Sequence, residues 1–472
     1  MSQAKLFIKR MDSYKDIYTM IVYTIYMYKY AKNNGKNRFI TILFSFLIIV
    51  TLLLPACIST QPKKSQDIKP PVQISPPQEI LPPIGTTPPQ EILPPIGTTP
   101  PSGITPPIDS VTPPQEIITP PDISDISPPI GQVTPQPSQD IRAAWVSTVW
   151  GLDFPKNPTS DDKSLQNELL EIANLAIQQD LTDLFFQVRP CADALYQSNI
   201  FPYSRFLTGT EGVSPNNNFD PLQNFVDICH TANIRLHAWI NPYRVQASQL
   251  HELSSNNPAK LNPELTFVSD QKLYFNPGEP QARNLILSSV EELLINYDID
   301  GIHFDDYFYP ETSYDDSTTF AKYGKDFTNI ADWRRNNVDT LVTQTSDITH
   351  QYGKLFSVSC TGVWANKSSN SLGSNTSGYE SFNAIFADSR KWAKENLVDW
   401  IIPQVYFPTT DSKTNYKTVV DWWEEVCKDT NTRLIIGLAY YKFDNQELDN
   451  QLTYNDQIDQ VKGYSIFRFS NI

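Results

Sequence analysis

The chain has 472 residues, with 37 Lys and Arg against 52 Asp and Glu, and a formal net charge of -15 at pH 7. This acidic balance argues against a general nucleic-acid binder, because neutralising phosphates requires an excess of basic residues. The 40% of hydrophobic residues excludes disorder throughout, and most of the 38 prolines lie between 57 and 140, which divides the chain in two.

The N-terminal segment has the pattern of an export signal. Lys29, Lys32, Lys36 and Arg38 precede an apolar run over 39–54. A basic segment before an apolar run of this length is typical of a secretory signal peptide, and the run is short for a membrane span. We therefore expect the remainder of the chain to be exported.

The sequence LPAC at 54–57 resembles the bacterial lipoprotein box, in which a small residue precedes a cysteine. This resemblance implies that Cys57 is lipidated and becomes the mature N-terminus, so that the protein is anchored to a bacterial membrane, in the periplasm or at the cell surface. Residues 1–26 are unusual for a signal peptide, whereas a start at Met27 gives an ordinary one. The alternative for 1–57 is an uncleaved N-terminal anchor.

Residues 58–139 form a proline-rich linker. The sequence PPQEILPPIGTT at 76–87 is repeated without change at 88–99. Such a segment favours polyproline II and cannot bury a core. It is either a stalk that holds a domain away from the membrane or a disordered spacer of no set length.

Residues 140–472 alternate apolar, β-rich runs with helical patterns. Eight such runs begin near Ala143, Asp183, Ile234, Ile299, Leu355, Val398, Arg433 and Tyr464. Eight alternations of strand and helix in this length predict an α/β fold of the (β/α)₈ TIM-barrel type. A doubly wound open sheet is the alternative, but no glycine-rich phosphate loop follows any of the runs.

Polar side chains are expected at the C-terminal ends of these strands, where a barrel carries its site. Residues two apart on a strand share a face. This alternation places the following side chains on the inner face: Gln187 and Arg189; His237, Trp239 and Asn241; His303 and Asp305; Gln404 and Tyr406. Several strands thus direct polar groups to one end of one lumen, which predicts a binding site.

Most glycoside hydrolases use two carboxylates, and the adjacent Asp305 and Asp306 are the first pair to consider for that role. Because consecutive strand residues point to opposite faces, we expect Asp305 to enter the site and Asp306 to orient a loop or a helix end. A structural alternative for Asp305 is a salt bridge to Arg189 across the lumen.

The second carboxylate is not evident from the sequence. Candidates lie in loops that follow strands: Asp153, Asp193, Glu311 and Asp388. Each of them could equally be a capping or surface residue.

A metal trio of His237, His303 and Asp305 is a further possibility. No local metal motif supports it, and a neutral histidine that hydrogen-bonds a sugar hydroxyl explains each position equally well.

Six stretches together resemble the glycosyl-hydrolase-like family ten, a bacterial group of (β/α)₈ proteins. They are RAAWVSTVWGLDFP at 142–155, QVRPCADALYQS at 187–198, HAWINPYR at 237–244, YDIDGIHFDDYFYP at 297–310, VDWIIPQVYF at 398–407 and GYSIFRF at 463–469. The resemblance implies an exported glycosidase of bacterial cell-wall glycan, notably of peptide-free peptidoglycan strands. Where the family usually has Ser-Pro-Phe-Gly at strand five, this chain has Ser-Cys-Thr-Gly at 359–362.

The stretch GIHFD at 301–305 is also similar to the fourth strand of α-amylase-type barrels. On that similarity Asp305 is the nucleophile or its equivalent, and His303 replaces an arginine. The acid on the fifth strand of those enzymes has no counterpart here, and Asp388 is offered as the partner.

The sequence thus predicts a glycoside hydrolase of cell-wall polysaccharide that needs no cofactor or metal and binds no nucleic acid. The predicted catalytic residues are Asp305 and Asp388. The predicted substrate-binding residues are Arg189, Asp193, His237, Trp239, Asn241, Arg244, His303, Asp306, Trp364, Gln404 and Tyr406. The alternatives are a non-catalytic glycan-binding lipoprotein and a metal-dependent polysaccharide deacetylase.

Overall fold

The computed structural model describes residues 141–248, 250–310 and 314–472. The predicted signal peptide, the lipidation site Cys57 and the proline-rich linker lie outside these residues, and so does Glu311. Within the described ranges, none of the helices combines the length and the apolar character that crossing a membrane requires.

Ten strands are present among the described residues. They are β1 (Ile141–Val146), β2 (Asp183–Arg189), β3 (Arg235–Ile240), β4 (Thr266–Ser269), β5 (Lys272–Phe275), β6 (Gly301–Phe304), β7 (Leu355–Val358), β8 (Trp400–Ile401), β9 (Arg433–Ala439) and β10 (Val461–Phe467).

The helices surround the sheet or lie in its loops. They are α1 (Asp162–Gln178), α2 (Arg205–Thr208), α3 (Pro221–Thr231), α4 (Pro258–Leu261), α5 (Pro280–Asn296), α6 (Ser317–Tyr323), α7 (Ile330–Gln351), α8 (Ser381–Ala384), α9 (Ser389–Lys394), α10 (Tyr416–Cys427) and α11 (Asn445–Asn455).

Eight of the strands close into a parallel barrel in the order β1, β2, β3, β6, β7, β8, β9, β10, with β10 paired back to β1. All eight predicted strands are therefore confirmed, and the (β/α)₈ barrel is confirmed over the open sheet. The remaining two strands, β4 and β5, form an antiparallel hairpin after β3 that the sequence did not predict.

Local sequence accounts for the main helices. The α1 helix buries Leu165, Leu169, Ile172 and Ala176, which recur at helical spacing on one face. The α3 helix begins where the Asp220 carboxylate accepts a hydrogen bond from the Gln223 amide, which satisfies one of the unpaired donors of the first turn.

Two hydrophobic cores result from the barrel geometry. The larger core lies between the sheet and the helices, and the smaller one fills the barrel. The smaller core is unusually aromatic, with Trp145, Phe185, Trp239 and Trp400 among its members. The lumen is thus packed rather than open, as in other barrels of this size.

The cysteines among the described residues form no disulfide. Cys191, Cys229, Cys360 and Cys427 are all buried free thiols. Burial raises the pKa of the Cys191 thiol to about 12, so these groups act as small apolar side chains rather than nucleophiles.

Candidate active site

Asp305 is the centre of the polar cluster at the C-terminal end of the barrel. It follows the last residue of β6, and only 4% of its surface is exposed. Its Oδ2 accepts a hydrogen bond from Trp239 Nε1 at 3.3 Å and another from Asn241 Nδ2, while its Oδ1 accepts one from the Tyr307 amide at 3.2 Å. The prediction that Asp305 shares a site with Trp239 and Asn241 is confirmed.

The environment of Asp305 favours its protonated form. Burial raises the pKa, the cationic Arg244 opposes that effect, and the negative charge of Asp306 adds to it; the result is a pKa of about 7. A buried carboxyl with a pKa near neutrality is suited to donate a proton at neutral pH. The structural alternative of a salt bridge between Asp305 and Arg189 is wrong, since the cation that acts on Asp305 is Arg244.

Asn241 is held in place from two sides. Its Oδ1 accepts hydrogen bonds from Gln187 Nε2 at 2.6 Å and from Arg244 Nη2 at 2.8 Å, which leaves its amide nitrogen to donate to Asp305. The side-chain Oε1 of Gln187 in turn accepts hydrogen bonds from the backbone amides of Thr148 at 2.8 Å and Val149 at 3.0 Å. Gln187 was not among the predicted site residues, although its inner face was evident from strand alternation.

Asp306 lies beside Asp305 rather than behind it. Its charge acts on both Asp305 and Tyr406, and its Oδ2 accepts a hydrogen bond from Thr361 Oγ1 at 3.0 Å. This bond agrees with the expectation that Asp306 orients a loop, because Thr361 lies in the loop that follows β7; β6 itself ends at Phe304, before both aspartates. Two carboxyl groups therefore lie at the mouth of the barrel.

Tyr406 and Gln404 complete this end of the lumen. Tyr406 is half-buried and stacks on Phe467 with ring centroids 6.2 Å apart. Burial and the charge of Asp306 raise the pKa of its hydroxyl well above the usual range. Gln404 Nε2 donates to the Ser359 carbonyl at 3.4 Å.

His303 lies one layer below the site, and none of its surface is exposed. Its Nε2 accepts a hydrogen bond from Trp145 Nε1 at 2.9 Å, so the ring proton is on Nδ1, which faces Ser357 Oγ at 2.8 Å. Burial lowers the pKa of His303 well below its usual range. The predicted contact of this neutral histidine with substrate is not supported, because its ring nitrogens are satisfied inside the barrel.

His237 lies deeper still, at the N-terminal end of the barrel. Its Nε2 is 2.9 Å from Asp183 Oδ1, and Arg235 Nε donates to the same carboxylate oxygen at 2.7 Å. Burial raises the pKa of Asp183, but the hydrogen bonds from His237 and Arg235 outweigh it and hold this pKa at about 2. His237 is therefore part of a buried ion cluster, and the prediction that it contacts substrate is not supported.

A metal trio is not formed by these histidines. His237 pairs with Asp183, and His303 accepts from Trp145, so neither ring turns a nitrogen to Asp305. Among the described residues, no group of three or more His, Cys, Asp or Glu side chains is arranged to hold a metal ion. This geometry does not favour the deacetylase alternative.

Arg189 does not face the lumen, contrary to the prediction. The register with β3 shifts between Gln187 and Arg189, so Arg189 pairs with Ile240, whose side chain belongs to the outer core. The fully buried guanidinium lies over the Phe201 ring at 4.7 Å. Residues beyond a β-bulge point to the opposite face from the one that regular alternation predicts. Sequence periodicity alone does not show where such a bulge occurs.

Two other predicted side chains hold loops together. Asp193 accepts hydrogen bonds from Ser204 Oγ at 2.6 Å and the Cys191 amide at 3.1 Å. Trp364 is 3% exposed and stacks on Trp422 with centroids 5.7 Å apart in the outer core, so the prediction that it binds substrate is not supported.

Asp388 is the N-cap of α9. Its Oδ1 accepts hydrogen bonds from the Lys391 amide at 3.2 Å and from Trp364 Nε1 at 2.9 Å. These contacts assign Asp388 a structural role, and its suggested catalytic role stays a prediction. The sequence candidate Asp153 also has structural contacts. Its carboxylate accepts hydrogen bonds from the Ser147 and Ser470 amides and so connects the segments that follow the first and last strands.

A cavity of about 300 Å³ has Asp306 in its wall. It lies between the hairpin and the loop that follows β6. The residues that line it are Asp270, Lys272, Tyr274, Asp306, Tyr307, Phe308, Tyr309, Pro310 and Ile385. This volume is at the small end of ligand pockets and is enough for about one sugar ring.

The arrangement can be compared with known proteins. The family described as glycosyl hydrolase-like 10 matches residues 140–456. The glycosyl hydrolase YngK of Bacillus subtilis strain 168 is 35% identical over 357 residues, which cover 71% of this chain and 69% of YngK. The glycosyl hydrolase DigH of Escherichia coli K12 is 36% identical over 369 residues, which cover 71% of this chain and 84% of DigH.

Among solved structures, the glycoside hydrolase domain of PgaB (BpsB) from Bordetella bronchiseptica aligns with 70% of this chain and 93% of its own, at 12% identity and a TM-score of 0.45. The motif resemblance noted in the sequence is confirmed by the family match. Because that match covers most of the chain and these relatives are more than a third identical over most of their own length, the chain belongs to the glycosyl hydrolase-like 10 family of glycoside hydrolases.

Proposed function

We propose that this protein is an exported, membrane-tethered glycoside hydrolase that cleaves the glycan strands of peptidoglycan, with Asp305 as its general acid. The observation that carries the catalytic part of this proposal is a single carboxyl group. Asp305 is 4% exposed, has a pKa of about 7 and is oriented by Trp239 and Asn241 at the barrel mouth.

Hydrolysis of a glycosidic bond requires a proton on the leaving oxygen as the bond to the anomeric carbon breaks. Near neutral pH, Asp305 carries that proton and can transfer it, which leaves its own carboxylate ionised. Trp239 and Asn241 then stabilise the new charge, because both donate hydrogen bonds to Oδ2. Among the described residues, Oδ1 accepts a hydrogen bond only from the Tyr307 amide, and it is the oxygen that carries the transferred proton in this proposal.

Asp306 is the proposed second carboxylate, in place of Asp388. It is close enough to Asp305 for its charge to raise the pKa of that residue, and it is half-buried at the cavity wall. An ionised Asp306 stabilises positive charge that develops at the anomeric carbon or accepts a proton from the attacking water. Asp305 gives one proton to the leaving oxygen and the attacking water loses one proton, so transfer of the water's proton to Asp305, directly or from Asp306 by way of solvent, restores both carboxyl groups.

Export and tethering are supported by the sequence of the N-terminal part. A basic segment precedes the apolar run 39–54, Cys57 follows in a lipoprotein-like box, and a proline-rich stretch separates it from the barrel. Peptidoglycan is the polymer that a tethered hydrolase outside a bacterial membrane meets first. The resemblance of the barrel motifs to cell-wall glycosidases supports the same substrate.

The test is release of reducing ends from purified peptidoglycan, both intact and stripped of peptides by an amidase. We expect release from the stripped strands, and a decrease in turnover of about 10²–10⁴-fold in Asp305→Asn, the usual effect of losing a general acid. An Asp388→Asn variant is the matched comparison and should retain activity if Asp388 only caps its helix.

An unchanged turnover number in Asp305→Asn would refute the assignment of the acid. Saturable binding to the strands with no new reducing ends would refute the hydrolytic function and favour a glycan-binding protein.

A further inference from the structure

Three aromatic side chains among the described residues are more than half exposed, and all three lie at the mouth of the barrel. Trp150 is 58% exposed, Tyr307 55% and Tyr441 56%. Each follows the end of a barrel strand by two to four residues: Trp150 follows β1, Tyr307 follows β6 and Tyr441 follows β9. Exposed rings that arise by chance are scattered singly over a surface, so their concentration at one end of the barrel calls for a reason other than packing.

The three rings stand on opposite sides of Asp305. The segment that follows β6 carries both Asp305 and Tyr307, whereas β1 is three strands away from β6 in one direction and β9 three strands away in the other. Tyr307 lines the cavity described above, so Trp150 and Tyr441 lie across the mouth from that cavity. A chain bound over Asp305 therefore meets aromatic rings on both sides.

Trp150 has a backbone conformation that its own side chain disfavours. Its φ of 56° and ψ of 18° are left-handed, a region that suits Gly and that Asn and Asp tolerate better than bulky residues. Most of the other described non-glycine residues with positive φ are Asn or Asp, and the other aromatic one, Phe386, packs against Tyr309 with ring centroids 5.4 Å apart. The Trp150 ring stays exposed, so burial does not offset the strain. Strained residues of this kind are concentrated at functional sites.

Hydrogen bonds connect the Trp150 loop to the group that orients Asp305. The amide of Val149, the residue before Trp150, donates to Gln187 Oε1 at 3.0 Å. Gln187 Nε2 donates to Asn241 Oδ1 at 2.6 Å, and Asn241 Nδ2 donates to Asp305. Three successive hydrogen bonds therefore fix the loop that carries Trp150 relative to Asp305.

We propose that Trp150 is the platform of a sugar-binding subsite across the mouth from the cavity, so that one glycan chain lies over Asp305 with one ring stacked on Trp150 and another in the cavity at Tyr307. The indole ring offers a large, rigid aromatic face, which matches the apolar C–H face of a pyranose ring. The ligand class is thus a chain of pyranose sugars long enough to span the mouth. This inference rests on the proposed function and adds a substrate-binding residue to it.

The first experiment locates the bound chain by tryptophan fluorescence. Of the nine tryptophans in the chain, Trp150 is the one that is more than half exposed, so acrylamide quenches it most strongly. Amidase-stripped peptidoglycan strands are titrated into the Asp305→Asn protein, which cleaves them slowly. We expect the bound strands to protect the quenchable fluorescence. The double variant Asp305→Asn, Trp150→Asn is the matched control and should lack both the quenchable fraction and the protection.

The second experiment measures what the ring contributes to hydrolysis of the same strands. Trp150→Asn removes the ring but keeps a residue that accepts the left-handed conformation, so kcat/KM should fall about tenfold through a higher KM, the scale of one lost aromatic contact. Trp150→Phe keeps a smaller ring and should lose less. A purely structural role for Trp150 would instead lower the urea midpoint of Trp150→Asn and leave its KM unchanged.

Ile295→Ala is the control for loss of an exposed apolar side chain. Ile295 is 62% exposed and lies at the end of α5, just before β6 begins, which places it at the other end of the barrel. This variant should hydrolyse the strands as the wild type does.

Full acrylamide quenching at saturating strands, or an unchanged KM in Trp150→Asn, would overturn this inference and leave the hydrolase intact. Protection of Trp150 without release of reducing ends by the wild type would uphold the subsite and refute the hydrolytic function. Neither protection nor release would refute both.

Discussion

The pKa of Asp305 has a consequence for stability as well as for catalysis. The folded protein holds this group at about 7, against an ordinary value of 3.8. A folded-state pKa above the unfolded value means that the native state binds the proton more tightly. The associated stability is fully present below pH 4 and is lost as the pH rises through 7.

The magnitude follows from the difference between the two pKa values. From 3.8 to about 7, at 1.36 kcal/mol for each pKa unit, the wild-type protein loses about 4 kcal/mol of unfolding free energy from this group between pH 4 and pH 9. The Asp305→Asn variant cannot ionise at this position and is spared that loss. Its amide does forfeit the bond from the Tyr307 amide, which costs about 1 kcal/mol at every pH.

We therefore expect Asp305→Asn to be slightly less stable than wild type at pH 4 and about 3 kcal/mol more stable at pH 9. The assay is urea unfolding of both proteins at pH 4, 5, 6, 7, 8 and 9, with the difference in unfolding free energy plotted against pH. Since all other titrating groups are shared, they cancel in that difference. Two parallel stability curves would refute the argument that burial keeps Asp305 protonated, and with it the case for a general acid.

Three further changes probe neighbouring parts of the barrel. Asp306→Asn removes the negative charge that raises the pKa of Asp305. The pKa of Asp305, read from its carboxyl ¹³C shift, should therefore fall below 7. An unchanged titration of Asp305 would show that the two groups do not interact. Asp183→Asn should destabilise the protein at pH 7 by about 2 kcal/mol, because the native pKa of Asp183 of about 2 lies below the ordinary 3.8. The difference in unfolding free energy between variant and wild type should vanish as the pH falls through 2. Equal losses at pH 7 and pH 2 in urea unfolding would contradict this. Gly301→Ala places a methyl group 2.6 Å from His237 Nδ1 and should cost about 1–3 kcal/mol, and an unaltered Tm would show that the barrel floor adjusts freely.

The barrel architecture was predictable from the sequence because it depends on local patterns. Each of the eight strands is a short apolar run, and helices such as α1 repeat their buried residues at helical spacing. Strand alternation also correctly placed Trp239 and Asn241 on one face with Asp305. The pairing of β3 with β6 has no register shift, so the alternation of faces holds to the ends of both strands.

Only the tertiary structure shows which inward-facing polar residues lie beside Asp305 at the barrel mouth. Alternation identifies the face of a strand but not the depth in the barrel. His237 and His303 were therefore grouped with Asn241, although their ring nitrogens bond to Asp183 and Trp145 whereas Asn241 bonds to Asp305. Depth depends on strand stagger, and stagger depends on pairing between segments far apart in the chain.

Local departures from regular geometry account for the remaining differences. The bulge between Gln187 and Arg189 turned Arg189 out of the lumen, and the end of β6 at Phe304 allowed Asp306 to lie beside Asp305. The sequence by itself thus determined a glycosidase-like barrel with Asp305 at its mouth. Only the tertiary structure shows that Arg244 is the cation near Asp305, that Gln187 holds Asn241, and that Lys272 is the basic residue of the cavity wall. Each of these placements depends on contacts between residues that are tens of positions apart in the chain.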